Sequence, residues 1–210
     1  MIVIESAHAG DFEIGTEGER EWCLDFCQRL AVYIGDAQVI SSYFLSRQPD
    51  PIVKTIQDLY LCIHYDAANA GGFFGANPLD PRRDQLKGKS ELALAHIITE
   101  LASIDPVNYL HAPHRRTQNM TGLYSWYYVH PRTPKVIMEM GAGMGIDHDI
   151  LFNQKDRVVS AVGDAILKFL GKEKDLVKRL QERVKELHTL LEPKEWLKQH
   201  LQSKLEKAIQ

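Results

Sequence analysis

What this chain lacks narrows it first. No apolar run approaches the length needed to cross a hydrocarbon layer of roughly 30 Å; the longest, such as Leu59 to Ile63 and Val136 to Met138, stop after a few residues. No transmembrane segment is expected. A basic excess is missing too: 25 Lys and Arg face 28 Asp and Glu, a net charge of -3, so there is no field to collect a polyanion and nucleic acid is not an expected partner. Cysteine is scarce, at three residues, and an odd number argues against a disulfide framework. Cys23 and Cys27 stand four apart on an expected helix and read as small buried apolar residues rather than metal or redox groups. The opening "MIVIESAHAG" has no basic n-region and enters directly on a strand pattern, so it does not read as a secretory leader. A chain made in the cytoplasm then acts there, leaves by another route, or has lost its leader.

What is present is enough apolar material for one sizeable core, 44% of 210 residues, with room for an appendage. "MIVIE" reads as a strand, and "EREWCLDFCQRLAVYI" repeats Trp22, Phe26 and Leu30 at helical spacing. "AQVISSYFL" and "DLYLCIH" read as further strands, and a loop rich in Gly, Asn and Pro leads to a helix around "SELALAHIITELASI". "GLYSWYYV" and "PKVIME" are expected strands, with alternate residues of "SWYY" in the core, and "DRVVSAVGDAILKFL" an expected helix. This alternation predicts an α/β fold: an open, twisted, mostly parallel or mixed sheet with helices on both faces. From residue 172 the texture changes. Residues 172–210 hold ten Lys or Arg against seven Asp or Glu, break at Pro193, and carry Leu176, Leu180, Val184, Leu187 and Leu191 as one stripe. The expected organisation is a domain over 1–171 and an amphipathic helical hairpin or tail over 172–210, packed on the domain or on a second copy of the chain, the latter giving a homo-oligomer.

In an open α/β sheet the loops at the carboxyl ends of the strands converge on the ligand site, so polar residues placed there carry the interest. His8 follows the first strand, His64 ends "LYLCIH", and Glu139 emerges from "KVIME". Glu19 opens the first helix, where the dipole also favours a carboxylate. Each alone has a plain explanation as a boundary or capping residue. Together, two imidazoles and one carboxylate form a recurrent ligand set for a catalytic Zn²⁺ ion with one position open to water. A second carboxylate beside that water can serve as proton acceptor, and Glu139 is suited to it.

The stretches "IVIESAHAGDFEIGTEGERE", "DLYLCIHYDA" and "PKVIMEMG" also carry a family likeness. From residue 1 to about residue 171 the chain resembles the zinc-dependent N-acetylmuramoyl-L-alanine amidases of the amidase-3 family. The family's His-Gly-Gly, its Glu at the first helix, its Ile-His-Ala-(Asn/Asp)-Ala and its Val-Glu-x-Gly match His8, Glu19, His64 and Glu139. The resemblance implies Zn²⁺ held by His8, Glu19 and His64, with Glu139 catalytic; Glu21 is the rival of Glu19, and the match of "CLDFCQRL" to the family's first helix favours Glu19. It also implies hydrolysis of the lactyl–L-alanine amide of peptidoglycan or a muropeptide, hence action on the cell wall, with a phage-type endolysin as one form. Alternatives are a zinc amidohydrolase of a soluble N-acyl amino acid or peptide and, in another class, a non-catalytic wall-binding module. Departures from the family pattern include Ala9, Cys23, Tyr65 and Ser46, and the missing Ser-Asn after Glu139. Several fall around the implied substrate groove.

The insertion "YDAANAGGFFGANPLDPRRD" either lines that groove, with Phe73 and Phe74 as exposed contacts and Arg82 or Arg83 for a carboxylate, or is an ordinary surface loop. "GAGMG" imitates a dinucleotide-binding turn, but Asp164, the acidic residue at suitable distance, falls inside an expected helix. His111 and His114 in "HAPHRR" have a metal-pair spacing interrupted by Pro113, and read as a loop or substrate contact.

Overall fold

The computed structural model describes residues 1–7, 18–41, 50–66, 73–78, 80–104, 125–142 and 147–172. By internal contacts the chain divides into two units, Met1–Gly171 and Lys172–Gln210. The expected tail lies outside the described residues, as do His8, His111 and His114.

Five strands form one open sheet in the order β2-β1-β3-β5-β4: β1 Ile2–Ser6, β2 Ala37–Ser41, β3 Leu59–Asp66, β4 Phe74–Ala76 and β5 Lys135–Ala142. The pairings β1–β2, β1–β3 and β3–β5 are parallel, while β4 runs antiparallel to β5 at the edge. A parallel strand in the middle of such a sheet is covered on both faces, which is why all five residues of β1 are buried. The sheet is mixed by virtue of one short edge strand.

Three long helices, α1 Glu19–Ile34, α2 Lys87–Ala102 and the later Lys155–Phe169, share one face. Their Phe26, Leu30, Leu94, Ile97, Val158 and Val162 pack on Ile2, Ile4, Leu61, Ile63, Val136 and Met138 from the strands. Strand alternation sends Val3, Tyr60, Cys62 and Ile137 to the other face. There they meet Val53 of the 3-10 turn Pro51–Lys54, together with Trp126 and Val129. Trp126 belongs to a single helical turn, α3, Ser125–Tyr128, which corrects the expected strand over "SWYY", the described part of that segment. Short aromatic runs satisfy either period, and this one resolves as a turn that buries Trp126 while leaving Tyr127 exposed. The helix Lys155–Phe169 is α4. Asp164 lies within it and accepts a hydrogen bond from the Tyr33 hydroxyl at 2.6 Å, so it serves helix packing between α1 and α4. Among the described residues no helix is long and apolar enough to cross a membrane. Cys23, Cys27 and Cys62 are all buried free thiols.

At the amino-terminal end of β5, Lys135 is fully buried, and its ammonium donates to the carbonyls of Arg83 (2.6 Å), His130 (3.0 Å) and Val129 (3.2 Å). One side chain thereby ties the segment after β4 to the segment after α3. Burial draws the Lys135 pKa down to about 8, against the opposing charge of Asp84. The unfolded chain keeps this proton up to about 10.5, so between these values it binds more protons than the folded chain, and stability from this group rises with pH. Lys135→Met removes that rise and leaves three carbonyls without their donor, at a cost of about 1–3 kcal/mol near pH 7. Urea melts of both proteins from pH 7 to 10 check this; parallel pH profiles would refute it.

Candidate functional site

Helix α1 begins where the chain comes back to the carboxyl edge of the sheet. Gly18 precedes it at φ 79°, a left-handed conformation that favours glycine. A Cβ there would lie 3.1 Å from the Tyr65 hydroxyl, so Gly18 also lets that ring approach the helix start. The next residue is Glu19, 3% exposed although acidic. Trp22, Cys23, Phe26 and Cys27 anchor this end of the helix in the core, and the Trp22 indole N–H donates to the Leu151 carbonyl at 2.9 Å. Glu19 is thus fixed by the packing of the residues that follow it.

His64 reaches the same place from β3. Its Nδ1 lies 3.2 Å from Glu19 Oε1, with the two side chains 15% and 4% exposed. Glu21, by contrast, is 70% exposed and pairs with Arg20 on the surface. Burial alone would lower the His64 pKa, but the hydrogen bond to Glu19 and the charges of Glu139, Glu19 and Glu5 outweigh it and raise it. The basin gathers negative charge, and what it favours between its groups is a cation or a proton.

Glu139 is the lateral partner of His64 across the β3–β5 pairing, so the two residues share a face. Just beyond, the register slips: two steps on β3, from His64 to Asp66, match three on β5, from Glu139 to Ala142. Such a bulge bends the strand and redirects its side chains, a recurrent device beside sites. Gly141 sits in it at φ 132°, and a Cβ there would lie 2.8 Å from Asp147 Oδ2. Glycine is therefore required both for the backbone and for the close approach of buried Asp147.

Of the four residues singled out from sequence, the structure brings Glu19 and His64 into contact and sets Glu139 on the neighbouring strand. His8 is outside the described residues; it follows Ala7, whose N–H donates to the Ile63 carbonyl at 3.0 Å. Among the described residues no group of three His, Cys, Asp or Glu side chains makes up a metal site. The donor pair nonetheless suits one. Ligand atoms bound tetrahedrally at about 2.0–2.1 Å stand roughly 3.3 Å apart, close to the 3.2 Å between Nδ1 and Oε1.

Two residues expected near the groove point elsewhere. Tyr65 alternates to the helix face, where it is buried edge-on against Trp22 with ring centroids 5.4 Å apart. Phe73 is also fully buried, which corrects its expected exposure: it fills the core shared by the sheet and the long helices. Nothing in an isolated Phe-Phe pair distinguishes a core ring from a contact ring. Arg82 is exposed and holds Asp80 with both ends of its guanidinium, while the Arg83 guanidinium lies 4.2 Å from the centre of the Tyr127 ring.

A polar chain along the same face was missed in the sequence. The Tyr60 hydroxyl donates to Glu5 Oε2 at 2.7 Å, Cys62 Sγ lies 3.6 Å from Glu5 Oε1, and the same sulfur lies 3.3 Å from His64 Nε2. Glu5 is only 5% exposed. An acidic residue within an otherwise apolar, buried strand was the available signal.

No protein-family model matches the sequence, and no curated protein does. Solved structures do match the fold. The CwlD amidase from Clostridioides difficile, in complex with the GerS lipoprotein, is 16% identical with a TM-score of 0.61, over 81% of this chain and 98% of that one. The N-acetylmuramoyl-L-alanine amidase AmiC2 of Nostoc punctiforme is 15% identical with a TM-score of 0.59, over 81% and 96%. The catalytic domain of the CD27L endolysin targeting Clostridia difficile is 13% identical with a TM-score of 0.57, over 80% and 96%. The sheet and helices described above are thus the fold of N-acetylmuramoyl-L-alanine amidases.

Proposed function

We propose that this chain is a zinc-dependent amide hydrolase that cleaves the lactyl–L-alanine bond of peptidoglycan. The observation that carries the reading is the buried meeting of Glu19 Oε1 and His64 Nδ1 at 3.2 Å at the sheet's carboxyl edge, with Glu139 the strand neighbour of His64. Glu19, His64 and His8 would hold the metal. When bound, zinc supplies Lewis acidity that polarises an amide carbonyl and lowers the pKa of a water. Glu139 accepts the proton as the water oxygen bonds to the carbonyl carbon, and returns it to the amine as the carbon–nitrogen bond breaks. Residues 1–171 form the catalytic domain in this reading, and 172–210 an amphipathic appendage able to pair with a second copy.

The amidase-like fold of CwlD, AmiC2 and the CD27L catalytic domain supports a cell-wall substrate, and the last supports an endolysin role. Digestion of purified sacculi with zinc present is the test. The expected products carry new L-alanine amino termini and free lactyl carboxyls on muramic acid. Hydrolysis of soluble N-acyl amino acids with sacculi left intact would assign the soluble amidohydrolase instead; binding to sacculi without hydrolysis would assign a wall-binding module.

A further inference from the structure

Beside the candidate site the surface carries an aromatic cluster that the proposed chemistry leaves unused. Phe152, in the turn Asp149–Asn153, keeps 39% of its surface open although it is large and apolar. Its ring is fixed from several sides: Tyr65 meets it edge-on with centroids 6.3 Å apart, Trp22 tilts against it at 6.5 Å, and His148 stacks nearly parallel at 4.6 Å. Tyr65 follows His64 directly, and Trp22 lies three residues after Glu19, so the cluster is attached to the elements that carry the candidate site. Tyr65 is also one of the departures from the family pattern, which makes this brace under Phe152 a feature of the present chain.

Phe152 forms the apolar part of a groove of about 420 Å³ that runs between Arg29 of α1 and residues 153–157, a volume within the roughly 300–1,000 Å³ of small-ligand sites. Most charges around it are committed: Arg29 pairs with Asp25 and Asp156, and Lys155 with Asp25. Two cations against two carboxylates leave Arg157 in excess, which suits a polar ligand of low charge better than a polyanion. Asn153 and Gln154 donate their amide N–H groups to Asp149, at 2.7 Å and 2.9 Å, and so keep their oxygens as acceptors. Gln154 Oε1 takes one N–H of Arg157 at 3.1 Å, out of the five that a guanidinium carries.

We propose that this groove is a saccharide subsite, in which the Phe152 ring covers the apolar C–H face of an N-acetylated hexosamine while Arg157 and Asn153 bond its hydroxyl and acetamido groups. A pyranose has such an apolar face and a polar rim, and its hydroxyls donate and accept at once, which matches a ring flanked by donors and acceptors. The choice of sugar rests on the peptidoglycan reading: the groove then holds part of the glycan strand whose lactyl arm enters the site.

The test separates binding from hydrolysis. The full chain is titrated with the N-acetylglucosamine–N-acetylmuramic acid disaccharide, free of peptide, and separately with the free stem peptide, by calorimetry and ligand-observed NMR. Disaccharide binding is expected, weakened about 3- to 10-fold in Phe152→Leu, which stays apolar but loses the flat ring, and similarly in Arg157→Ala. Phe152 packs against Trp22 and Tyr65, so melting temperatures are measured alongside; Arg157 is exposed, and its variant decides the matter if Phe152→Leu folds poorly. A disaccharide that does not bind overturns the proposal, as does one that binds wild type and a folded Phe152→Leu alike or, where that variant does not fold, wild type and Arg157→Ala alike. Binding of the stem peptide alone, lost in Arg157→Ala, would also overturn it and assign the groove to peptide. Disaccharide binding that weakens in these variants while sacculi stay undigested sustains the subsite and sinks the hydrolase; digestion of sacculi without disaccharide binding does the reverse.

Discussion

On the proposed function, Glu139→Gln is expected to stop hydrolysis while leaving zinc binding and the fold in place. The substitution is nearly isosteric, and Glu139 lies on a strand held on both sides by pairing with β3 and β4, so the sheet has no reason to move. In the proposed mechanism what changes is chemistry: an amide side chain cannot take up the proton that the attacking water would lose. A positioned general base contributes on the order of 10²–10⁴ in rate, and a loss of at least that size is expected in sacculus digestion. Zinc content and the melting temperature serve as controls. If the variant digests sacculi at the wild-type rate, the base is another group and the role assigned to Glu139 is wrong.

If His64 is a metal ligand as proposed, removing it is expected to act one step earlier, on the metal. In His64→Ala the buried Glu19 carboxylate loses the imidazole at 3.2 Å, and the donor pair suited to an ion is halved. Zinc retained after dialysis should fall to near zero, with hydrolysis lost in parallel. The wild type should lose activity on chelation and recover when zinc is restored; His64→Ala should not recover at the same zinc concentration. Losing one partner of a buried charged pair also costs stability, about 3–5 kcal/mol at the upper end, so a lower melting temperature is expected in the metal-free variant. Recovery of His64→Ala with added zinc would show that the ion is held without this side chain.

The fold was largely legible because its signals are local. β1, β3 and β5 stand out as short apolar runs, and α1, α2 and α4 as repeats near the helical period, each within a few residues of its observed limits. Cys23 and Cys27 were readable as core from spacing alone, and both are fully buried. Where a segment was short and aromatic the pattern failed: "SWYY" became a helical turn, and Phe73 went into the core rather than onto a surface. Tyr65 illustrates the same limit. It neighbours His64 in sequence, yet one step along a strand reverses the face, so its ring braces Trp22 instead of lining the site.

By itself, then, the sequence determined the strands, the long helices and the strand-end residues that merit attention, because burial period and turn chemistry are written in neighbouring residues. Tertiary structure decided which of those residues meet. Glu19 and His64 are 45 positions apart, and Glu5 and Cys62 are 57 apart. Their contacts follow from parallel register and the return of α1 to the sheet edge, which are properties of pairing between distant segments that no local period encodes.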